Sequence, residues 1–169
     1  TRKLIFIKES DATVLLPGGI GTLDEGFENL TLFQTGKSLP RPIILLEPEN
    51  GNYWNTWMDW IKSVLVKNKF ISPDDIHLLQ LKHSSKEAYR AIHDFYRVYH
   101  SLRYYKRLTI LLFTQPISQK IIDRLNAEFK DIIAEGVIYA SAPLQGEINN
   151  HDNALEMPRL IFKFNKQSF

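Results

Sequence analysis

Apolar and polar residues follow a regular pattern over the first hundred positions, which predicts three strands, each followed by a helix. Short apolar runs stop at turn residues, as buried strands do. The segments after them repeat apolar residues every three or four positions, as amphipathic helices do. Strands are predicted at 12–16, 42–47 and 77–81, and helices at 22–35, 53–69 and 84–101. Alternating strands and helices with short connections indicate βαβ crossovers and therefore a parallel sheet.

The last third of the chain predicts a smaller, separate layer. Its predicted elements are a strand at 108–113, a helix at 118–135, and strands at 137–140 and 160–164. Gly136 is expected to end the helix. We therefore expect two domains, an α/β domain over 1–101 with helices on both faces of its sheet, and a small, truncated α+β extension of ferredoxin-like type over 102–169.

The composition is that of an ordinary globular protein. The 169 residues are 44% hydrophobic, carry a net charge of +2 at pH 7 and include no Cys. The lack of Cys excludes a thiol nucleophile, a zinc ribbon and disulfide staples. No apolar run approaches the roughly 18 residues of a membrane span, so we expect a cytoplasmic protein with no membrane partner. A charge surplus this small does not favour nucleic-acid binding.

One segment places glycines and a helix start directly after the first predicted strand. Residues 17–25 read Pro-Gly-Gly-Ile-Gly-Thr-Leu-Asp-Glu. Glycines would permit backbone angles and close approach that a Cβ blocks, and the first helical turn would direct N–H groups and the positive end of its dipole at an anion. Open α/β sheets bind ligands at this end of a strand. The segment predicts a phosphate-binding loop made of Gly18, Gly19, Ile20, Gly21 and Thr22.

A carboxylate follows this loop at a useful position. Glu25 lies one turn into the predicted helix, where it could bind sugar hydroxyls or activate water beside a bound phosphate. The structural alternative is a tight turn followed by acids that the helix dipole stabilises by about 0.3–1 kcal/mol each. The combination of a strand, three glycines, Thr and Glu favours the functional interpretation.

The same nine residues resemble a known family. The pattern Pro-Gly-Gly-x-Gly-Thr-x-x-Glu is similar to the signature of the LOG family, formerly described as possible lysine decarboxylases, whose characterised members are nucleoside 5′-monophosphate phosphoribohydrolases. Further segments match over about residues 1–100 in the family's order, namely Arg2-Lys3, Pro42–Leu46, Gly51–Trp54 and Phe70–Pro73.

The resemblance implies a fold, a reaction and site residues. The first domain would be the C-terminal half of a Rossmann-like sheet, with 1–9 helical although Leu4–Ile7 has strand propensity. The protein would hydrolyse the N-glycosidic bond of an AMP-like nucleoside 5′-monophosphate to the base and ribose 5-phosphate, without a cofactor. Glu25 and Arg2 would be catalytic. Family members are usually dimers with an earlier strand–helix portion, so we expect a homodimer and a chain that is a piece of a longer polypeptide.

Two other interpretations stay open at this point. The same phosphate cradle would serve a non-catalytic nucleotide-binding or carrier protein. The basic, Tyr-rich segment 84–107, interpreted as a helix, would serve as a subunit interface. No metal site is predicted because the five histidines show no ligand spacing; they are His77, His83, His93, His100 and His151.

Overall fold

The computed structural model describes residues 2–149 and 153–165, with side chains described from residue 5 onward. The chain divides into two compact units, Thr1–Phe95 and Tyr96–Phe169. Within the described residues, no helix is both long enough and apolar enough to cross a bilayer.

The first unit contains a three-stranded parallel sheet. Its strands lie in the spatial order β1 (Thr13–Leu15), β2 (Ile43–Leu46) and β3 (Leu79–Lys82). In their register, Ile43 lies opposite Thr13 on one side and Leu79 on the other. The central strand β2 is buried on both faces, as a parallel sheet requires, since Ile43, Ile44 and Leu45 are at most 1% exposed, whereas Val14 of β1 is 38% exposed. The α/β class with a Rossmann-like parallel sheet is thereby confirmed, and the carboxyl ends of the three strands share one edge.

Four α-helices flank this sheet. They are α1 (Arg2–Lys8), α2 (Ile20–Gln34), α3 (Tyr53–Trp60) and α4 (Ser85–Tyr96). A π-helical turn, Ile61–Val66, continues α3, and a 3₁₀ helix, Pro73–Leu78, precedes β3. Helices α2 and α3 close the core over β1 and β2 with Leu30 and Trp54, which are 8% and 1% exposed.

Two local predictions in this unit are confirmed. Helix α1 forms where strand propensity argued for a strand; Thr1, the first residue of the predicted helix, lies outside the described residues. Helix α2 ends in a Schellman motif, in which the Lys37 N–H donates to the Leu32 carbonyl and the Gly36 N–H to that of Phe33. Gly36 has φ = 65°, a left-handed conformation that glycine adopts without a Cβ penalty.

The second unit is an antiparallel sheet with two helices. Its elements are β4 (Tyr99–Tyr105), β5 (Leu108–Phe113), α5 (Gln119–Glu128), β6 (Ile133–Ser141), α6 (Gln145–Asn149) and β7 (Arg159–Phe164). The strand order is β4-β5-β7-β6, so β7 lies between β5 and β6 and joins them as a split β-α-β arrangement. Successive residues of β7 enter different clusters, Leu160 with Ile122 of α5 and Ile161 with Ala154. Each face of this sheet therefore carries an apolar cluster.

A buried ion pair ties the connection before β7 to the sheet. Arg159 and Glu147 are 2% and 5% exposed, and the Arg159 guanidinium donates to a Glu147 carboxylate oxygen. The same guanidinium also donates to the carbonyls of Ala154 and Leu155, both at 2.9 Å. This network satisfies the charges of the pair inside the fold.

Two predicted helices are too long. The helix predicted at 84–101 ends at Tyr96, because β4 pairs with the apolar strand β5, with Tyr99 opposite Phe113. The segment 84–107 is therefore not one helix, and the interface interpretation loses its helical basis. The helix predicted at 118–135 ends at Glu128, since Ile133 already pairs with Phe164 of β7.

These boundaries change the role predicted for Gly136, and they place Lys106, inside the segment 84–107 interpreted as a helix, in a turn. Gly136, expected to stop a helix, lies inside β6 with φ = 79°, where the register with β7 is irregular. Lys106, with φ = 55°, is in the turn between β4 and β5. Around both residues, pairing between strands outweighs the helical spacing of the neighbouring apolar residues.

Candidate functional site

The glycine loop joins β1 to an open helix N-terminus. Helix α2 begins at Ile20, and its N-cap, Gly19, provides no capping side chain. The N–H groups of Thr22 and Leu23 donate to the Gly19 carbonyl at 3.0 and 3.3 Å. Within the described residues, the N–H groups of Ile20 and Gly21 have no hydrogen-bond acceptor. An exposed helix start with unpaired amides favours an anion.

The three glycines of the loop differ in what a side chain at their position would contact. A Cβ on Gly18 would lie 2.2 Å from the Thr22 Oγ1 and 2.9 Å from its Cβ, so this position requires glycine. A Cβ on Gly19 or Gly21 would meet nothing within 4 Å. None of the three has a positive φ, so the predicted need for unusual backbone angles is wrong. Close packing explains Gly18, whereas Gly19 and Gly21 border open space.

Glu25 lies in a cleft beside α2. The cleft has a volume of about 370 Å³ and is lined by Phe6, Ile7, Ser10, Ala12, Thr13, Val14, Glu25, Asn29 and Arg41. Glu25 is half-buried and lines this cleft. None of the residues 17–22 lines the cleft. Glu25 lies on α2, the helix that begins in the predicted phosphate loop, about one and a half turns after its first residue.

A buried polar network forms one side of this cleft. The Arg41 guanidinium donates to the Ile7 and Ser10 carbonyls at 2.6 and 2.8 Å and to the Asn29 side-chain oxygen. Asn29 in turn donates to the Glu25 carbonyl at 2.8 Å. The network fixes the end of α1 and the middle of α2 on either side of the cleft.

The second predicted catalytic residue is placed only by its backbone. Arg2 is the first residue of α1, and its side chain lies outside the described residues. Arg2 precedes Phe6, which lines the cleft, by four residues or about one helical turn.

Three residues at the site were missed by the sequence analysis. They are Tyr53, Asn29 and Arg41. Asn29 follows Glu25 by four residues, so the helical spacing could have placed both on one face. Nothing in the sequence indicated that Arg41 would turn inward, or that the Tyr53 hydroxyl would donate to the Gly18 carbonyl at 2.6 Å.

Metal ligands do not cluster in the part of the chain described here. No three His, Asp or Glu side chains come together within 2–149 and 153–165. His151 lies outside those residues.

The fold and the glycine loop define a Rossmann-like α/β protein, with its loop at the carboxyl end of β1. A family profile described as "Possible lysine decarboxylase" matches residues 1–92, more than half of the chain. The chain belongs to this family, also known as the LOG family.

Curated relatives match a little more than half of the chain. A cytokinin riboside 5′-monophosphate phosphoribohydrolase of Arabidopsis thaliana is 37% identical over 94 residues, which are 56% of this chain and 42% of the relative. A protein of the same name from Mycobacterium tuberculosis is 33% identical over 90 residues, 53% of this chain and 46% of the relative. A probable enzyme of this kind from Oryza sativa subsp. japonica is 35% identical over 99 residues, 55% and 38% of the two chains. The chain spans less than half the length of these relatives.

Proposed function

We propose that this protein hydrolyses the N-glycosidic bond of a nucleoside 5′-monophosphate, releasing the base and ribose 5-phosphate. The observation that carries the proposal is the position of Glu25, half-buried in a cleft on the helix whose uncapped N-terminus presents unpaired amides. The similarity to proteins named cytokinin riboside 5′-monophosphate phosphoribohydrolases supports it.

The phosphate would bind at the start of α2. The loop from Gly18 to Thr22 would surround it, with the amides of Ile20 and Gly21 available as donors, whereas the Thr22 N–H already donates to the Gly19 carbonyl. The open space beside Gly19 and Gly21 leaves room for close approach of the phosphate oxygens. Backbone amides hold a phosphate without carrying a charge of their own, so no cation is required for this contact.

Glu25 would act on the sugar. It lies six residues after the N-cap, roughly 9 Å along the helix axis, and helical side chains lean towards the N-terminus. Its carboxylate would therefore reach back towards the ribose of a nucleotide whose phosphate lies on the loop. There it would bind ribose hydroxyls, stabilise the positive charge that develops on the sugar and orient the attacking water.

The reaction consumes only the nucleotide and water. Water adds to C1′ as the bond from C1′ to the base nitrogen breaks, and the base takes up the proton that the water loses. Arg2, on the first turn of α1, would position the phosphate or the leaving base through its planar guanidinium.

The test is incubation of the chain with AMP and with a cytokinin riboside 5′-monophosphate, followed by chromatography of the bases. We expect free base and ribose 5-phosphate in equal amounts. A carrier protein would bind the nucleotide, as measured by calorimetry, and release no base. Release of inorganic phosphate in place of the base would also contradict the proposal.

We also propose that the protein works as a homodimer, as the family resemblance implies. Light scattering at several concentrations tests this, and a monomer throughout would contradict it.

A further inference from the structure

We propose that Tyr53 is a positioning residue that sets the direction of the Gly18–Gly19 peptide, so that the Gly19 amide faces the phosphate. The inference rests on the proposed function, since it assigns the loop a phosphate ligand. It extends that function to a residue outside the glycine loop, at the start of α3, the helix that follows β2.

The contact is short and connects two elements that are far apart in sequence. The Tyr53 hydroxyl donates to the Gly18 carbonyl oxygen at 2.6 Å, across 35 residues. In a trans peptide the C=O and the following N–H point in opposite directions. A Gly18 carbonyl held towards Tyr53 therefore directs the Gly19 N–H away from it. A Cβ on Gly19 would meet nothing within 4 Å, so a ligand has room to approach this residue.

Gly18 and Gly19 are residues whose backbone would otherwise be easy to rotate. Glycine has no Cβ to limit its backbone angles, and a rotated Gly18–Gly19 peptide would present a carbonyl oxygen to the phosphate and repel it. The Thr22 side chain packs against Gly18 on one side, and Tyr53 holds its carbonyl. The two contacts leave the peptide little freedom before ligand arrives.

The first turn of α3, which begins at Tyr53, is held by a buried carboxylate. Glu47, directly after β2, is 1% exposed and accepts the Trp54 N–H at 3.0 Å and the Asn55 N–H at 3.3 Å. The Tyr53 ring packs edge-on against Trp54, with ring centroids 4.8 Å apart. Trp54 is 1% exposed and belongs to the core. The first turn of α3 is therefore fixed, and with it the position of the Tyr53 hydroxyl.

Tyr53→Phe removes the hydroxyl and keeps the ring. Loss of one neutral hydrogen bond predicts an increase in KM for AMP of about threefold to tenfold. We expect kcat to stay within about twofold, because the loop would grip the phosphate equally in the substrate and the transition state. The matched control is Tyr89→Phe on α4, whose side chain is 69% exposed; it should leave both constants unchanged.

The amide of Gly19 provides a readout independent of turnover. In ¹H–¹⁵N spectra without ligand, Tyr53→Phe should shift and broaden the Gly19 resonance and leave the Gly136 resonance of the second unit in place. Titration with inorganic phosphate should then move the Gly19 resonance of the wild type at lower concentrations than in Tyr53→Phe. A structural role in the core alone would lower the melting temperature without this difference in affinity.

The outcomes separate the two proposals. If wild type turns over AMP and Tyr53→Phe has the wild-type KM, the positioning role is overturned and the proposed function stands. A lowered kcat at unchanged KM also overturns it, since Tyr53 would then act on the reacting bond. If wild type neither binds nor hydrolyses AMP, both proposals are overturned.

Discussion

The guanidinium of Arg41 donates a hydrogen bond to the side-chain oxygen of Asn29, and the two residues are only 7% and 5% exposed. The same guanidinium donates to the Ile7 and Ser10 carbonyls at the end of α1. One buried cation therefore connects the helix that begins with Arg2 to the helix that carries Glu25. We therefore expect this contact to set how far apart the two helices hold the proposed catalytic residues.

Arg41→Lys should destabilise the protein although the charge is kept. A lysine ammonium cannot reproduce the planar fork that reaches three acceptors, one each on α1 and α2 and one just after α1. Buried acceptors left unpaired cost about 1–3 kcal/mol of unfolding free energy. Urea denaturation measures the loss. The control, Arg124→Lys, alters an exposed pair with Glu128 on α5 and should cost less than about 0.5 kcal/mol. Equal effects of the two variants would show that Arg41 holds nothing in place.

Glu25→Gln should remove turnover and keep the fold. The amide has nearly the same shape as the carboxylate but no negative charge to stabilise the sugar cation, so we expect kcat for AMP to fall by about two orders of magnitude or more. The melting temperature should not change. Asp24→Asn, an exposed acid beside it on the same helix, is the control and should retain most of the activity. A folded, active Gln variant would show that the assignment of Glu25 is wrong.

Two glycine variants should separate packing from ligand access. Gly18→Ala places a methyl group 2.2 Å from the Thr22 Oγ1 and should lower the unfolding free energy by about 1–3 kcal/mol. Gly21→Ala meets no protein atom within 4 Å and should leave stability unchanged or raise it by up to about 1 kcal/mol. Its methyl group would nevertheless weaken AMP binding by about tenfold, because it stands where the phosphate approaches the amides. Wild-type affinity in Gly21→Ala would contradict the placement of the phosphate.

Tyr99 makes the stability of the protein depend on pH in the alkaline range. Burial, together with the neighbouring Tyr96 and Tyr104, raises the pKa of Tyr99 from 10.0 to about 12. The folded state therefore favours the neutral phenol. This contribution to stability is complete below pH 10 and is lost as the pH rises through 12.

Denaturation at pH 9 and pH 11 in wild type and Tyr99→Phe measures this dependence. Wild type should lose more stability between the two values than the Phe variant, and absorbance at 295 nm should show one phenol fewer ionising near pH 12 in the variant. An identical pH dependence in both proteins would contradict the raised pKa.

The first unit follows its sequence pattern closely, and the second does so less well. Strands β1 and β2 form where apolar runs end at proline and glycine, and Gly36 ends α2 as its position indicates. In the second unit Tyr99 and Ile133 satisfy helical spacing but pair across a sheet, opposite Phe113 and Phe164. Spacing alone cannot reveal which long-range partner a residue will find.

The sequence by itself determined the parallel α/β order, the glycine loop between β1 and α2, and the position of Glu25 on that helix, because each depends on residues close together in the chain. Only the tertiary structure decided that Arg41 turns inward to Asn29 and that Tyr53 reaches the Gly18 carbonyl. These contacts join residues 12 and 35 positions apart. They exist because strands β1 and β2 bring their ends to common edges of the sheet, which no local pattern of residues records.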